Sequence, residues 1–254
     1  PDSDWLESAC ETHGNAGAFD VAPFHAYPET WPDTLALEEY LDENYRRWYL
    51  AAVDSACGGK PVWINEAGFA TTPGKPEEEQ ARWWARAFAE FLSAPRVEHI
   101  GVYEIRDLRP DSDVIGDTPN YFLGLVHTDG RRKLAFTTVG LLARLFAGGS
   151  VAVADAELHA LNPRKAGVVS HLFLLPDERQ ILFAWRRRPP ALTSEPAGDS
   201  VTIALTLPWS AARAVRYDLD GTGAPLDLGS ERRSVALRLS SRDVAIVEVF
   251  PETR

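Results

Sequence analysis

Three short stretches carry groups suited to chemistry. Residues 61–69 read PVWINEAGF: five residues of buried-strand type, Pro61 to Asn65, then Glu66, a small-residue turn at Ala67 and Gly68, and Phe69. Burying an unpaired carboxylate costs several kcal/mol or more, so packing alone does not explain an acid at the end of such a strand. An ionised carboxylate held there can act as a nucleophile or in proton transfer. His25 and Tyr27 stand at the end of the preceding strand-like run, and Tyr103, Arg106 and Asp107 at the end of the following one. The plainer roles are a structural ion pair for Glu66, a backbone-bonded His25, packing for Tyr27 and Tyr103, and a Glu104–Arg106 pair on one strand side. Three successive strand ends with polar or aromatic groups favour a site, with Glu66 at its centre.

The elements that must hold these groups follow from periodicity. FDVAPF (19–24) is a short apolar run, and Leu35 to about Ala56 repeats apolar residues at helical spacing until Gly58 and Gly59 stop it. PVWIN is the next strand. Pro76 and three glutamates open a second helix, which Pro95 ends, with acid at the N-terminus as the helix dipole favours. HIGVYEI (99–105) is a third strand. A loop of about 26 residues, Leu108 to Lys133, contains Pro110, Asp111, Asp113, Asp117 and Tyr121; its length suggests a lid or subsite wall. A helix at 134–146 follows. Alternating strands and helices predict parallel βα units. On a strand alternate residues share a side, so Val62, Ile64 and Glu66 are expected to point together. With Val62 and Ile64 filling a (β/α)8 barrel, Glu66 would cap that column at the mouth.

After Gly149 the pattern changes. VVSHLFLL, QILFAWRR, SVTIALTL, AVRYDL, RSVALRLS and DVAIVEVF are β-type runs between Pro, Gly and Asp turns, the pattern of a β-sandwich. The expected division is 1–150 and 151–254. Arg186, Arg187 and Arg188 read as a solvated strand end, Asp129-Gly130 as a turn, His127 as a surface residue, and Glu77, Glu78 and Glu79 as a helix-start charge run.

The net charge of −11 lies wholly in the first part: residues 1–150 carry 24 acidic and 13 basic side chains, and residues 151–254 carry 13 of each. That argues against nucleic acid and anionic membranes as partners. No apolar run approaches a membrane span of about 20 residues. The opening PDSDWLESAC and the lack of any Met suggest the interior of a longer chain. Cys10 and Cys57 sit in similar phrases, ESAC and DSAC. The favoured expectation is two buried thiols in helix packing; a disulfide is open if their helices are neighbours, and would suit an exported protein. No phosphate loop, nucleotide fingerprint, serine elbow or metal-ligand cluster is present, and no cofactor is implied.

Taken in order, FDVAPFHAYP, PVWINEAGF, VYEIRD and YFLGLVHTDGRRKLAF resemble the C-terminal part of clan A retaining glycoside hydrolases, most closely family 39 and its relatives. The likeness covers nearly the whole chain and includes the β-domain after the barrel. It implies the last three βα units of a (β/α)8 barrel followed by a small accessory β-sandwich. It makes Glu66 the nucleophile of a double displacement on a β-glycosidic bond. His25 and Tyr27 would bond the sugar or position Glu66, Tyr103 would form an aromatic floor, and Asp107 would contact sugar or loop. Trp31, on the loop after Pro28, has two readings from its position: stacking on sugar or packing on the barrel rim. The Asn65-Glu66 pair also matches the family's acid/base motif. The flanking His25, Tyr27 and Tyr103, and the Gly68-Phe69 continuation, assign it to the nucleophile strand instead. The acid/base Glu and five of eight strands are then expected outside this chain, as missing sequence or another chain, since a retaining enzyme needs two carboxylates about 5 to 5.5 Å apart. The implied partner is a saccharide, and a secreted or periplasmic location is favoured. The competing reading is a non-catalytic carbohydrate-binding or scaffold protein with a degenerate site.

Overall fold

The computed structural model describes residues 3–31, 35–109, 116–153, 158–160, 167–187, 200–207, 210–228 and 232–252. By its internal contacts the chain divides into two compact units, Pro1–Pro76 with Glu90–Arg131, and Glu77–Ala89 with Arg132–Arg254.

The first unit opens with a short helix, α1 (Ser3–Glu7), continued by a π-wound turn at Ser8–Thr12. Strand β1 (Ala22–Ala26) leads to one helical run, made of α2 (Leu37–Tyr40), a π-wound stretch Leu41–Tyr49, and α3 (Leu50–Ser55). Strands β2 (Val62–Ala67) and β3 (Val97–Val102) follow; between them in sequence runs helix α4 (Glu77–Ser93), of which Glu77–Ala89 falls in the second unit and the last turn in this one. The three strands form a parallel sheet in the order β1-β2-β3, as the alternation of elements predicts. Helix α4 is buried on nearly every face, with Trp83, Trp84 and Phe91 fully enclosed. That burial explains an apolar stretch too broad for a single stripe.

The direction of Glu66 differs from expectation. Val62 and Ile64 are level with Ala22 and Phe24. The Phe24 ring packs on Tyr45 and Tyr49 of the helical run, at 5.2 and 4.8 Å between centroids. Val62 and Ile64 therefore lie on the helix side of the sheet, not in a barrel interior. A bulge then shifts the register, so that Phe24 faces Ile64 but His25 faces Glu66. The extra residue reverses the alternation. It places Glu66 with His25, on the side opposite Phe24. That open face also carries Trp63, 43% exposed, and His99, whose rings lie 5.0 Å apart.

The two cysteines are bonded, which corrects the expectation of free thiols. Helices α1 and α3 pack together. This brings Cys10 and Cys57 to a Cα separation of 5.3 Å, within disulfide reach.

The stretch after β3 is not structureless. Leu125 N donates to Glu104 O (3.0 Å), Val126 N to Ile105 O (2.9 Å), Asp107 N to Val126 O (2.8 Å) and Leu108 N to Tyr121 O (3.1 Å). A 3-10 turn at Thr118–Tyr121 follows Asp117. Asp129 accepts from Arg131 N (2.9 Å), closing the turn read there. Pro110, Asp111 and Asp113 lie outside the described residues.

The second unit is largely antiparallel β. One sheet has the order β10-β9-β12-β7-β6-β4 and the other β11-β8-β5. They comprise β4 (Val151–Val153), β5 (Leu158–Ala160), β6 (Val168–Leu174), β7 (Gln180–Arg186), β8 (Ser200–Thr206), β9 (Ala211–Tyr217), β10 (Gly223–Leu226), β11 (Ser234–Ser240) and β12 (Val244–Pro251). Leu182 and Val247 of the first sheet share one apolar core with Ile203 and Leu237 of the second. Strands β7 and β12 are buried on both faces. On this unit's helix α5 (Leu134–Leu145), Thr138 Oγ1 donates to Leu219 O (2.6 Å). Phe146, just past the helix, packs on Phe173 and Phe183. Helix α5 thus belongs with the β-rich unit, although its sequence reads as the last helix of the βα series. Arg188 lies outside the described residues. Among the described residues no helix is long and apolar enough to cross a membrane, and no group of three or more His, Cys, Asp or Glu could hold a metal ion.

Candidate active site

The site gathers at one end of the parallel sheet in the first unit. Strand β1 carries His25 inside the strand, one residue beyond the run read from sequence, and ends at Ala26. Tyr27 Oη donates to Glu66 Oε2 at 2.7 Å, and His25 Nδ1 lies 3.3 Å from the same oxygen. The Glu66 side chain keeps 36% of its surface exposed and that of His25 54%. The carboxylate is therefore held on one side and open on the other.

Aromatic rings flank the Tyr27–Glu66 bond. Trp31 and Tyr103 stand edge-on to Tyr27, at 6.0 and 6.1 Å between centroids. Tyr103 follows β3 directly, and its N–H donates to Ala67 O at 2.8 Å. The small residue at 68 is a spatial requirement: a Cβ there would lie 2.2 Å from Tyr103 O and 3.2 Å from Tyr27 Cε1. Gly68 lets the end of β2 press against the residues that surround the carboxylate.

Burial, then the hydrogen bond and charge of Glu66, then the Tyr103 and Glu104 side chains, hold the Tyr27 phenol well above the ordinary tyrosine range. Burial, Glu104 and Glu66 raise Tyr103 as well. Both phenols stay protonated at neutral pH, and Tyr27 remains a donor to an acceptor-only carboxylate.

Asp107 sits apart from this cluster. Its carboxylate is buried; Oδ1 accepts from Gly124 N at 2.9 Å and Oδ2 lies 3.7 Å from His127 Nδ1. Asp107 thus contacts the loop through Gly124. His127, read as a surface residue, is partly buried beside it. Arg106 donates to Thr128 O, across the paired loop.

Sequence reasoning passed over Thr30 and Lys75, and read Glu104 as a partner for Arg106. Thr30 Oγ1 donates to Gly68 O at 3.0 Å. Lys75 Nζ donates to Glu29 O (2.5 Å) and Thr30 O (2.6 Å) and stands 5.2 Å from the Phe69 ring centroid. These link the turn after β1 to the segment after β2, a pairing that no local motif encodes. Glu104 was legible as a charge near a strand end, but its effect on Tyr27 and Tyr103 depends on the tertiary turn.

No family model and no curated protein matches the chain. Solved structures do share its fold. The GH51 arabinofuranosidase from Xanthomonas axonopodis pv. citri aligns with a TM-score of 0.60 at 12% identity, over 98% of this chain and 56% of that one. A monomeric beta-xylosidase from Caulobacter crescentus CB15 gives 0.56 at 16%, over 99% and 60%. The GH39 enzyme from X. axonopodis pv. citri gives 0.54 at 14%, over 99% and 59%. The chain spans a little over half the length of these structures. At such identities the likeness is one of fold, and it extends to GH51 as well as GH39, so it does not single out family 39.

Proposed function

We propose that the chain is the C-terminal part of a retaining glycoside hydrolase, with residues 1–150 as the last three βα units of a (β/α)8 barrel and 151–254 as an accessory β-sandwich. In this reading the enzyme cleaves β-glycosidic bonds of a saccharide and is related to family 39. The observation that carries the proposal is the Glu66 carboxylate, half-open at one end of a parallel strand and held by Tyr27 Oη at 2.7 Å. A carboxylate acceptor fixed by a protonated phenol keeps one oxygen oriented and leaves the other available for attack.

Glu66 attacks the anomeric carbon, and the leaving-group oxygen takes a proton from an acid supplied outside this chain. Water then displaces Glu66 from the glycosyl-enzyme, with that same second group acting as base. His25 and Tyr27 bind the sugar and orient Glu66; Tyr103 and Trp31 offer aromatic faces to a sugar ring. Asp107 shapes the loop beside them. The disulfide supports a secreted or periplasmic location.

The test is Glu66→Gln in the full-length polypeptide, with a 2-deoxy-2-fluoro glycoside as the trapping reagent. The expected result is a loss of turnover by orders of magnitude with folding retained, and label on the peptide containing Glu66. Label on a different carboxylate, with Glu66→Gln still active, overturns the assignment.

A further inference from the structure

Tyr27 is the only described tyrosine bonded to Glu66, yet it stands outside any regular element. The turn that carries it, Tyr27 to Trp31, is closed by Thr30 N donating to Tyr27 O at 3.3 Å. It bends through Glu29 in the left-handed region, at φ 64°. A residue with a side chain loses about 1 kcal/mol there, so the turn needs outside support. Glu29 Oε1 accepts from Leu37 N (2.9 Å), fixing the turn to the start of α2. Lys75 supplies the second support. Its ammonium donates to the two successive carbonyls of Glu29 and Thr30.

Lys75 is itself anchored. It closes a turn through its N–H to Thr72 O (2.8 Å), and Thr71 N of the same segment donates to Phe122 O (3.0 Å). Its ammonium stands over the ring of Phe69, three residues past Glu66. Burial holds the Lys75 ammonium below its usual range, opposed by the charge of Glu29. A desolvated ammonium that meets two carbonyls has its charge used in hydrogen bonds and not spent in water.

We infer that Lys75 is a positioning residue, which locks the Tyr27–Trp31 turn onto the segment leaving β2 and thereby sets the Tyr27–Glu66 hydrogen bond. Its consequence for turnover rests on the reading of Glu66 as nucleophile; the lock itself does not. Lys75 makes no hydrogen bond or ion pair to the Glu66 carboxylate, whose partners are Tyr27 and His25. It acts through the turn.

The experiment uses the full-length polypeptide with 13Cζ-tyrosine, the Tyr27 resonance being identified by its loss in Tyr27→Phe. In the parent protein Glu66→Gln moves that resonance. In Lys75→Met the resonance is expected to lose its response to Glu66→Gln, and in Lys75→Arg to keep it. If Lys75→Met does not fold, Lys75→Gln, with a neutral donor on a shorter stem, carries the same comparison. A Tyr27 resonance that still tracks Glu66 without the ammonium overturns the inference. Turnover gives a second arm. Lys75→Met should lower kcat about tenfold in the parent but less than about twofold in a Tyr27→Phe background, since one charge-assisted hydrogen bond is lost only once. Equal losses in both backgrounds also overturn it. If Glu66→Gln leaves turnover intact, the nucleophile reading fails while the resonance comparison still decides the role of Lys75.

Discussion

At Glu66 one donor, the Tyr27 hydroxyl, is fully engaged, and Tyr27→Phe removes it without changing the shape of the ring. A hydrogen bond to a charged group is worth about 1.5 to 3 kcal/mol to the folded state, so the melting temperature should fall by several degrees, and with Glu66 as the proposed nucleophile kcat should fall about tenfold or more. Steady-state kinetics and a thermal melt check both halves. Gly68 tests crowding at the same place. In Gly68→Ala the new Cβ meets the backbone carbonyl of Tyr103, which cannot rotate away. Overpacking of this kind costs about 1–3 kcal/mol, and here it also parts Tyr103 from β2. Both stability and kcat should drop, and a variant with parent-like values for both would show that this contact is unimportant.

The elements around the site are held by two devices of different reach. The disulfide ties the turn after α1 to the end of α3 across a sequence separation of 47. Chain-entropy reasoning gives about 4 kcal/mol for a loop of that size. Cys10→Ala with Cys57→Ala should shift the denaturant midpoint accordingly, and added reductant should reproduce most of the shift in the parent. The second device is the tyrosine layer on the helix side of the sheet. Tyr45 Oη donates to Pro95 O (2.5 Å), Tyr49 Oη to Pro23 O and Tyr40 Oη to His25 O (3.1 Å). Burial pushes the Tyr40 phenol up to about 12 and raises Tyr45 and Tyr49 further. The folded state therefore holds these protons where the unfolded chain has released them. The stabilisation is complete below pH 10 and is lost as pH climbs from 10 toward the folded values. Unfolding titrations from neutral to alkaline pH should show this decline, and Tyr40→Phe should reduce it.

For the whole molecule the decisive features are the two outer strands and the open face of the parallel sheet. Among the described residues β1 and β3 each pair on one side alone, and Trp63 and His99 lie on a face that no helix of this unit covers. Unpaired strand edges next to exposed aromatic surface favour self-association. A closed parallel barrel would remove both. The 254-residue chain expressed alone should be poorly soluble and inactive, and the polypeptide supplying the remaining strands should restore both properties. A monodisperse, cooperatively melting and active 254-residue protein would contradict the barrel proposal.

Local chemistry was enough for much of this. The period of the apolar residues located the helical run over 37–55, α4 and α5, and the proline and glycine breaks bounded them, because each depends on neighbours within a few residues. The NEAGF phrase, with His25, Tyr27 and Tyr103 at adjacent strand ends, marked out the residues that meet. Strands β4, β5 and β10, of three or four residues each, were too short to leave an alternating pattern. The side on which Glu66 lies was misread, because a single bulged residue reverses the phase of a strand and leaves no mark in its composition. The Cys10–Cys57 bond, the Lys75 clamp and the crowding at Gly68 were decided by the tertiary structure. Each joins segments tens of residues apart, and only the packing of α1 on α3, or of one turn on another, brings their atoms within bonding distance.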